Sequence, residues 1–310
     1  MAGEKKYFYG PVPSRRLGLS YGVDIVPLKV CTLDCIYCQL GKSSTTTTKR
    51  RTFGPIEPIL DELQVIVNEG QKTDYITIAG SGEPTLNSQL GKLIEGIKKI
   101  TDVPVAILTN GTLFYKEEVR ADCSRADVVM PSLDAGDSET FQRVNRPNRD
   151  INIENHIFGL SSFRNDFSGQ IWLEVFLVEG FNTEPEQITK IKNAIERIRP
   201  DKIHLNTAVR PTAEPNIKRL DAEQLQFIAT KLGEHCEIIP DVSKLHHINS
   251  IEKRADDVLS ILKRRPCSIN DISSGLGINC NEAMKYITNL QHRGLLCSEL
   301  KDGILFFKVK

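Results

Sequence analysis

The sequence lacks any apolar run near the ~18 residues that would suggest a membrane span. It also lacks net charge. Lys plus Arg and Asp plus Glu each number 40, so no overall field draws the molecule to nucleic acid or to a membrane surface. The charged segment Met1–Tyr9 has no apolar core of the signal-peptide kind, and the expected location is the cytoplasm. The eight cysteines are not spread as pairs, as a disulfide-stapled secreted fold would spread them. No internal repeat is visible. What remains is a chain of 310 residues, 40% hydrophobic and 26% charged. That is the composition of a globular protein with room for a large core and roughly two domains.

Between residues 21 and 240 the sequence alternates two patterns. Short Val- and Ile-rich runs at Tyr21–Pro27, Asp74–Ala79, Val103–Leu108, Asp127–Leu133, Ile171–Val178 and Lys202–Asn206 read as buried parallel strands. Helical patterns lie between them at Pro58–Asn68, Gln89–Lys99, Ser138–Val144, Ile153–Phe163 and Glu186–Arg197. Strand, helix, strand at this spacing predicts right-handed βαβ units. Six units are too few for a closed eight-fold barrel of typically ~250 residues or more. The expected fold is therefore α/β, a partial (βα)6 TIM-like barrel over residues 1–248. The segment Gly41–Arg51, GKSSTTTTKRR, reads as a solvated mobile loop; its place after the cysteine group leaves a lid open as the alternative.

The character changes near residue 249. Asn249–Arg265 reads as a helix with Val258, Leu259 and Leu262 inward, stopped by Pro266. Ser268 is a candidate N-cap for a short helix carrying Ile269, Ile272 and Leu276, ended by a turn at Gly275 and Gly277. A third helix, Asn281–Arg293, presents Met284, Ile287 and Leu290, and two strand-like runs flank Asp302-Gly303, a hairpin signal. Three helices and a hairpin in this order resemble a winged helix-turn-helix over residues 249–310. From Ile251 to Lys310 there are ten basic and seven acidic residues, too even a balance to insist on phosphate binding. Nucleic-acid binding and protein docking or self-association both stay open as partners.

The chemistry is concentrated in Cys31-Thr-Leu-Asp-Cys35-Ile-Tyr-Cys38. A cubane takes one thiolate per iron, and most electron-transfer clusters use four. With no fourth cysteine nearby, one iron would be open to an outside ligand, by the logic that leaves catalytic zinc incomplete. A three-cysteine zinc site completed by a remote histidine, or plain structural cysteines, are the alternatives. The spacing, with Tyr37 before the last cysteine, resembles the signature of the radical S-adenosylmethionine (SAM) superfamily. That resemblance implies a [4Fe-4S] cluster on Cys31, Cys35 and Cys38. Its open iron would chelate the amino and carboxylate groups of SAM, and one electron would split SAM into methionine and a 5′-deoxyadenosyl radical that abstracts hydrogen from a substrate. A ferredoxin or flavodoxin is the electron donor it implies.

Further segments extend the resemblance. Gly80-Ser81-Gly82-Glu83 is similar to the superfamily's glycine-glycine-glutamate motif, which grips the SAM amino group; Ser81 stands where a second glycine is commoner. Glycines admit close backbone approach, and a carboxylate suits an ammonium. Thr109 and Asn110 of Thr109-Asn110-Gly111-Thr112, with Ser132 and Asp134 of Ser132-Leu133-Asp134, close strands where such proteins place ribose and carboxylate contacts; an Asn-Gly turn and a helix cap are the plain alternatives. Asn206, with Glu174 and His204, is a lesser candidate for the same pocket. His246 and His247 read as an ordinary linker face.

Gly10-Pro-Val-Pro-Ser14-Arg15-Arg16-Leu-Gly18, Gly22-Val-Asp24, Cys38-Gln39-Leu40-Gly41, Asn145-Arg146-Pro147 and Arg210-Pro211 resemble a narrower group of microbial Fe–S oxidoreductases. That group is distantly similar to the radical SAM enzymes that make the wybutosine base of tRNA. Arg15 and Arg16 could meet an anionic substrate or the SAM carboxylate, or be surface charges or an N-terminal lock over the barrel mouth. Wybutosine enzymes carry a second cluster, whereas Cys123, Cys236, Cys267, Cys280 and Cys297 show no close spacing. The expected activity is SAM cleavage with hydrogen abstraction from an RNA, peptide or small molecule. The rival reading is a redox-sensing regulator in which the cluster controls DNA binding by the winged helix.

Overall fold

Strand-forming runs and amphipathic segments alternate along most of the chain, and each helix lays its apolar stripe on one face of a single sheet. The computed structural model describes residues 7–14, 16–43, 46–70, 72–209, 212–239, 255–259, 261–262, 266–276, 278–301 and 304–310. Arg15, Arg210-Pro211, His246, His247, Gly277, Asp302-Gly303 and the greater part of 249–265 lie outside the described residues. The sheet has eight strands in chain order: β1 Phe8–Ser14, β2 Gly18–Val23, β3 Tyr75–Ile78, β4 Val105–Leu108, β5 Val128–Met130, β6 Gln170–Leu177, β7 Lys202–Thr207 and β8 Cys236–Ile238. β1 pairs antiparallel with β2, and every later neighbour is parallel.

Helices α1 Glu57–Asn68, α2 Leu90–Ile100, α3 Glu117–Cys123, α4 Ser138–Val144, α5 Ile153–Asp166, α6 Pro185–Ile198 and α7 Ala222–Leu232 make the crossovers, with a 3₁₀ turn at Pro84–Leu86. The helix α6 illustrates the cause. Pro185 starts it, and Ile188, Ile191, Ala194, Ile195 and Ile198 recur at the helical period and are buried. Each isoleucine contributes about 1.5–3 kcal/mol by leaving water. Ile191→Ala in the centre of that stripe costs about 2–5 kcal/mol.

Alternation along the strands sorts side chains between two faces. On β6, Ile171, Leu173, Val175 and Leu177 join the core under the helices. Trp172 and Phe176 join smaller clusters on the other face, with Leu17, Ala106, Val128 and Met130 around Trp172 and Ile36 and Val178 around Phe176. Glu174 has the same parity as these two and shares their side.

Between residues 21 and 240 the expected strands and helices form, with ends shifted by a few residues. Two strands exceed the expected six. β1 contains Gly10, Pro11 and Pro13, which hide any strand pattern, and lies at the sheet edge where proline is tolerated. β8 has three residues, one of them Glu237, and is too short to show a period. The helices α3 and α7 were also unread; α7 begins with a capping box between Asp221 and Gln224. Among the described residues no helix is long and apolar enough to cross a membrane.

Toward the C-terminus, residues 255–259 and 261–262 are helical. They precede β9 Cys267–Ser268, α8 Ile269–Leu276, α9 Cys280–His292, β10 Leu296–Lys301 and β11 Ile304–Val309. β10 and β11 pair antiparallel as the hairpin signal implied, and β9 adds to β11. Ser268 Oγ accepts from Asp271 N at 3.2 Å while Asp271 Oδ2 accepts from Ser268 N at 2.8 Å, so Ser268 does cap α8. Gly275 lies inside α8 rather than in a turn after it. Val258, Leu262, Ile272, Met284, Ile287 and Leu290 form a hydrophobic cluster separate from that of the main sheet.

Candidate functional site

The cysteine loop follows β2 and is held by the turn after β3 and by the end of α4 with the segment after it. On one side is the turn after β3. Lys29 N donates to Ser81 O at 2.6 Å, and Glu83 N donates to Val30 O at 2.9 Å. This approach requires glycine at position 82, where a Cβ would stand 2.2 Å from Val30 O. Gly80 has φ +138° beside the Asp24 carboxylate, which accepts from Ser81 N at 3.2 Å and from Ser81 Oγ. On the other side runs the segment after α4. Asp34 N donates to Asn145 O at 3.1 Å, Ile36 N to Val144 O at 3.0 Å, and Asn148 N to Thr32 O at 2.9 Å.

Residues 46–51 are not the free solvated loop expected of them. Thr46 bridges Cys31, Asn148 Nδ2 donates to Thr46 O at 3.0 Å, and Arg50 reaches Thr85 O at 2.9 Å and the Asp122 carboxylate. A low-complexity run does not reveal that its hydroxyls and cations will find fixed partners.

Cys35 feels the charge of both Cys31 and Cys38, and Cys31 that of Cys38. Burial pushes the Cys31 thiol up to about 12, with the Glu83 carboxylate adding to it. Burial and Asp134 push Cys35 upward, and burial raises Cys38. A cationic centre is what such buried sulfurs need to be thiolates at neutral pH. Side-chain amides point at two of them: Asn110 Nδ2 donates to Cys31 Sγ at 3.5 Å, and Asn145 Nδ2 to Cys35 Sγ at 3.4 Å. Among the described residues no three His, Cys, Asp or Glu side chains converge as a single metal ion demands. A cubane asks instead for one sulfur at each of several separate irons, and the donor set of three neighbouring thiols with amide donors fits it. The other five cysteines stand at the end of α3, on β8, and in the C-terminal elements.

Glu83 is 2% exposed. Its Oε1 accepts from Thr85 N at 3.0 Å, Thr85 Oγ1 at 2.6 Å and Thr109 Oγ1 at 2.6 Å, and its Oε2 from Asn110 N at 2.8 Å. Burial raises its carboxyl above the ordinary range and these four donors pull it part of the way back. Asp134, also 2% exposed, accepts from Phe176 N at 2.8 Å, Asn145 Nδ2 at 2.7 Å and the Tyr37 hydroxyl. The Tyr37 ring stacks on Phe176 with centroids 3.9 Å apart. Tyr37, Gly80, Ser81, Gly82, Glu83, Thr109, Asn110 and Asp134 are thus drawn into one network with the cysteine loop.

Ser132 and Asn206 belong to a second group. Ser132 bridges Glu174, whose carboxylate is ion-paired with Arg16 and accepts from Asn206 Nδ2 at 3.4 Å. His204 lies on the same side, edge-on to Trp172 at 5.5 Å. Burial and the Arg16 guanidinium lower its pKa to about 4, so it is neutral at pH 7. The sequence reading gave no role to Asn145, Asp24, Lys29 or Phe176. Asn145 and Asp24 were legible only as parts of motifs, and nothing local marked Lys29 or Phe176.

Residues 25–191, more than half of the chain, match the radical SAM superfamily. The chain belongs to the radical SAM superfamily of enzymes. The match spans the cysteine loop and the ends of β3 to β6. This radical SAM chain is 31% identical to a UPF0026 protein of Methanocaldococcus jannaschii over 309 residues, covering 96% of this chain and 94% of that one. It therefore belongs with the UPF0026 proteins as well. It is 38% identical over 307 residues to a Brachyspira hyodysenteriae protein named GTPase Obg, but it spans only 45% of that protein's length. Among solved structures it resembles TYW1 with a lysine-pyruvate adduct bound, at a TM-score of 0.53 and 19% identity over 69% of this chain and 72% of that one. That likeness is one of fold.

Proposed function

We propose that this chain holds a [4Fe-4S] cluster on Cys31, Cys35 and Cys38, binds SAM against it, and abstracts hydrogen from an RNA, peptide or small-molecule substrate. The observation that carries this reading is the clasped loop: three thiols carried on eight successive residues, two of them facing amide N–H groups. When bound, the cluster supplies the electron that splits SAM. The chain's own residues do the rest. The Gly80–Gly82 backbone sets a ledge beside the loop, and Glu83 Oε2, with a single protein donor, remains an acceptor for the SAM ammonium. Thr109 and Ser132 offer hydroxyl groups to the SAM ribose and carboxylate, while the Asn110 carboxamide, engaged by Thr112, Thr32 and Cys31, lines the same pocket. Asp134, holding three donors, is a positioning residue for Tyr37 and Asn145. Arg16, Glu174 and Asn206 present a polar floor to the substrate.

The division into a partial (βα)6-type barrel at 1–248 and a winged helix at 249–310 accords with two separate hydrophobic clusters. Within the winged helix, α9 would be the reading helix for nucleic acid. Its Lys285 ammonium already sits 5.6 Å from the Tyr9 ring centroid, and Asn281 bonds the Tyr9 hydroxyl. Leu28 and Leu40, which flank the cysteine loop, pack on the same cluster as α9. These contacts favour docking against protein over docking against nucleic acid. The electron donor is a small reductant protein of the ferredoxin or flavodoxin kind, and the chemistry suits the reducing cytoplasm.

The test is anaerobic incubation of the reconstituted chain with SAM and dithionite. Release of methionine and 5′-deoxyadenosine is expected, and its absence from chain carrying a full complement of iron and sulfide refutes the proposal. Replacing Cys31, Cys35 or Cys38 by Ala abolishes the charge-transfer absorption of the cluster together with SAM cleavage.

A further inference from the structure

Two carboxamides meet the cysteine loop in the same way, from opposite sides. Asn110 comes from the loop after β4 and reaches Cys31 at 3.5 Å; Asn145 follows α4 and reaches Cys35 at 3.4 Å. A carboxamide has a donor at one end and an acceptor at the other, and only its surroundings decide which end faces a neighbour. Here both are decided. Asn110 Oδ1 accepts from Thr112 N at 3.0 Å and Thr112 Oγ1 at 2.7 Å, which turns its nitrogen toward Cys31 and toward Thr32 Oγ1 at 2.7 Å. Asn145 Nδ2 is bound by Asp134 Oδ2 at 2.7 Å, and rotating that amide would set its oxygen against the carboxylate.

A buried acid stands behind each amide. Glu83 holds the Asn110 backbone N–H at 2.8 Å. Asp134 is itself fixed by Phe176 N and Tyr37. Cys38 is served differently, by the Leu40 backbone N–H and the nearby Lys29 ammonium. The arrangement is therefore not a uniform lining. Two of the three sulfurs each receive one carboxamide donor whose orientation is imposed from elsewhere, and Cys35 is bonded by the Tyr37 hydroxyl as well.

We propose that Asn110 and Asn145 are positioning residues that raise the reduction potential of the cluster by donating to two of its three ligand sulfurs. The inference rests on the cluster assignment above. Hydrogen bonds to ligand sulfur stabilise the form with more negative charge, which is the reduced one, and are among the levers that set Fe–S potentials. In the pair Asn110→Ala and Asn145→Ala each deletion removes one donor.

The experiment is a dithionite-mediated redox titration of the anaerobically reconstituted full chain, followed by electron paramagnetic resonance. At the wild-type midpoint each variant is expected to show about tenfold less reduced cluster relative to oxidised, which for one electron is a fall of about 59 mV. Asn148→Ala is the control. Its amide lies in the same segment but bonds Thr46 rather than sulfur, at 3.0 and 3.1 Å, and it is expected to titrate like wild type. Midpoints for Asn110→Ala and Asn145→Ala that match Asn148→Ala overturn the inference while leaving the cluster in place. Absence of any cluster from wild type overturns the assignment beneath it instead. Should either alanine variant carry no cluster, wild-type chain labelled with ¹⁵N-asparagine gives an independent readout by pulsed resonance. Coupling of amide nitrogen to the reduced cluster spin is expected, and no coupling refutes the proposal.

Discussion

Glu83→Ala tests how far the carboxylate behind the cysteine loop holds the fold. In the native chain four donors converge on it, two of them backbone N–H groups, of Thr85 and Asn110. The Thr85 and Thr109 hydroxyls can rotate to other acceptors, but the two N–H groups cannot. Each stranded buried donor costs about 1–3 kcal/mol. Against this stands relief of the burial that raises the Glu83 carboxyl above its ordinary range. The net expectation is a loss of about 2–4 kcal/mol. With an unfolding entropy of about 2.1 cal/mol/K per residue, that corresponds to a melting point about 3–6 °C lower. Glu83→Gln keeps the acceptor for the threonines but sets an amide NH₂ against Asn110 N–H, and should lose about half as much. The assay is thermal unfolding of the metal-free chain by circular dichroism, so that SAM and cluster play no part. A Glu83→Ala chain that melts within about 1 °C of wild type would refute the converging bonds as a structural unit. Loss of SAM affinity in a Glu83→Gln chain that keeps its cluster would then report the second role of the same oxygen.

His156 and His204 are both buried and lowered from 6.5 to about 4. The native state keeps them neutral, so the stability they contribute is present above 6.5 and is lost as pH falls toward 4. The slope in that window reaches about 1.4 kcal/mol per pH unit for each histidine. Urea midpoints measured from pH 7 to 5 should fall accordingly, and a flat profile rules this out. Glu83 and Asp134 are raised, so their contribution runs the other way: it is present below the unfolded carboxylate range and lost as pH rises. Arg16 and Glu174, at 14% and 17% side-chain exposure, form a largely desolvated pair. Arg16→Met alone should cost about 2–4 kcal/mol, discounted for that residual exposure, and adding Glu174→Leu should recover part of it. Single-variant losses that simply add in the double variant would show that the pair is uncoupled. Lys285→Ala should speed hydrogen exchange in Phe8–Ser14 if its contact with Tyr9 anchors α9; unchanged exchange there would remove that anchor.

Much of the fold follows from local pattern. The isoleucines of α6 and the alternation in β6 announce their elements because helical and extended chains repeat at 3.6 and 2 residues. The spacing of Cys31, Cys35 and Cys38 is equally local, since one loop carries all three. Neither β1 nor β8 could be read, because prolines in an edge strand and a three-residue strand have no period of their own. The orientation of the carboxylates was equally out of reach. Glu83 and Asp134 have the right chemistry to touch a ligand, yet seven donors from their own chain surround them. Asn145 is 110 residues from Cys35 in the chain and Asn110 is 79 from Cys31.

The sequence by itself determined the alternating elements, the three-thiol loop and the superfamily it resembles, because each is written in residues close together in the chain. Only the tertiary structure decided which polar groups face sulfur, which face one another, and that residues 46–51 are held rather than free. Those outcomes depend on hydrogen bonds between strand ends far apart in sequence, and a donor's partner is fixed only when the sheet brings it within 3–3.5 Å.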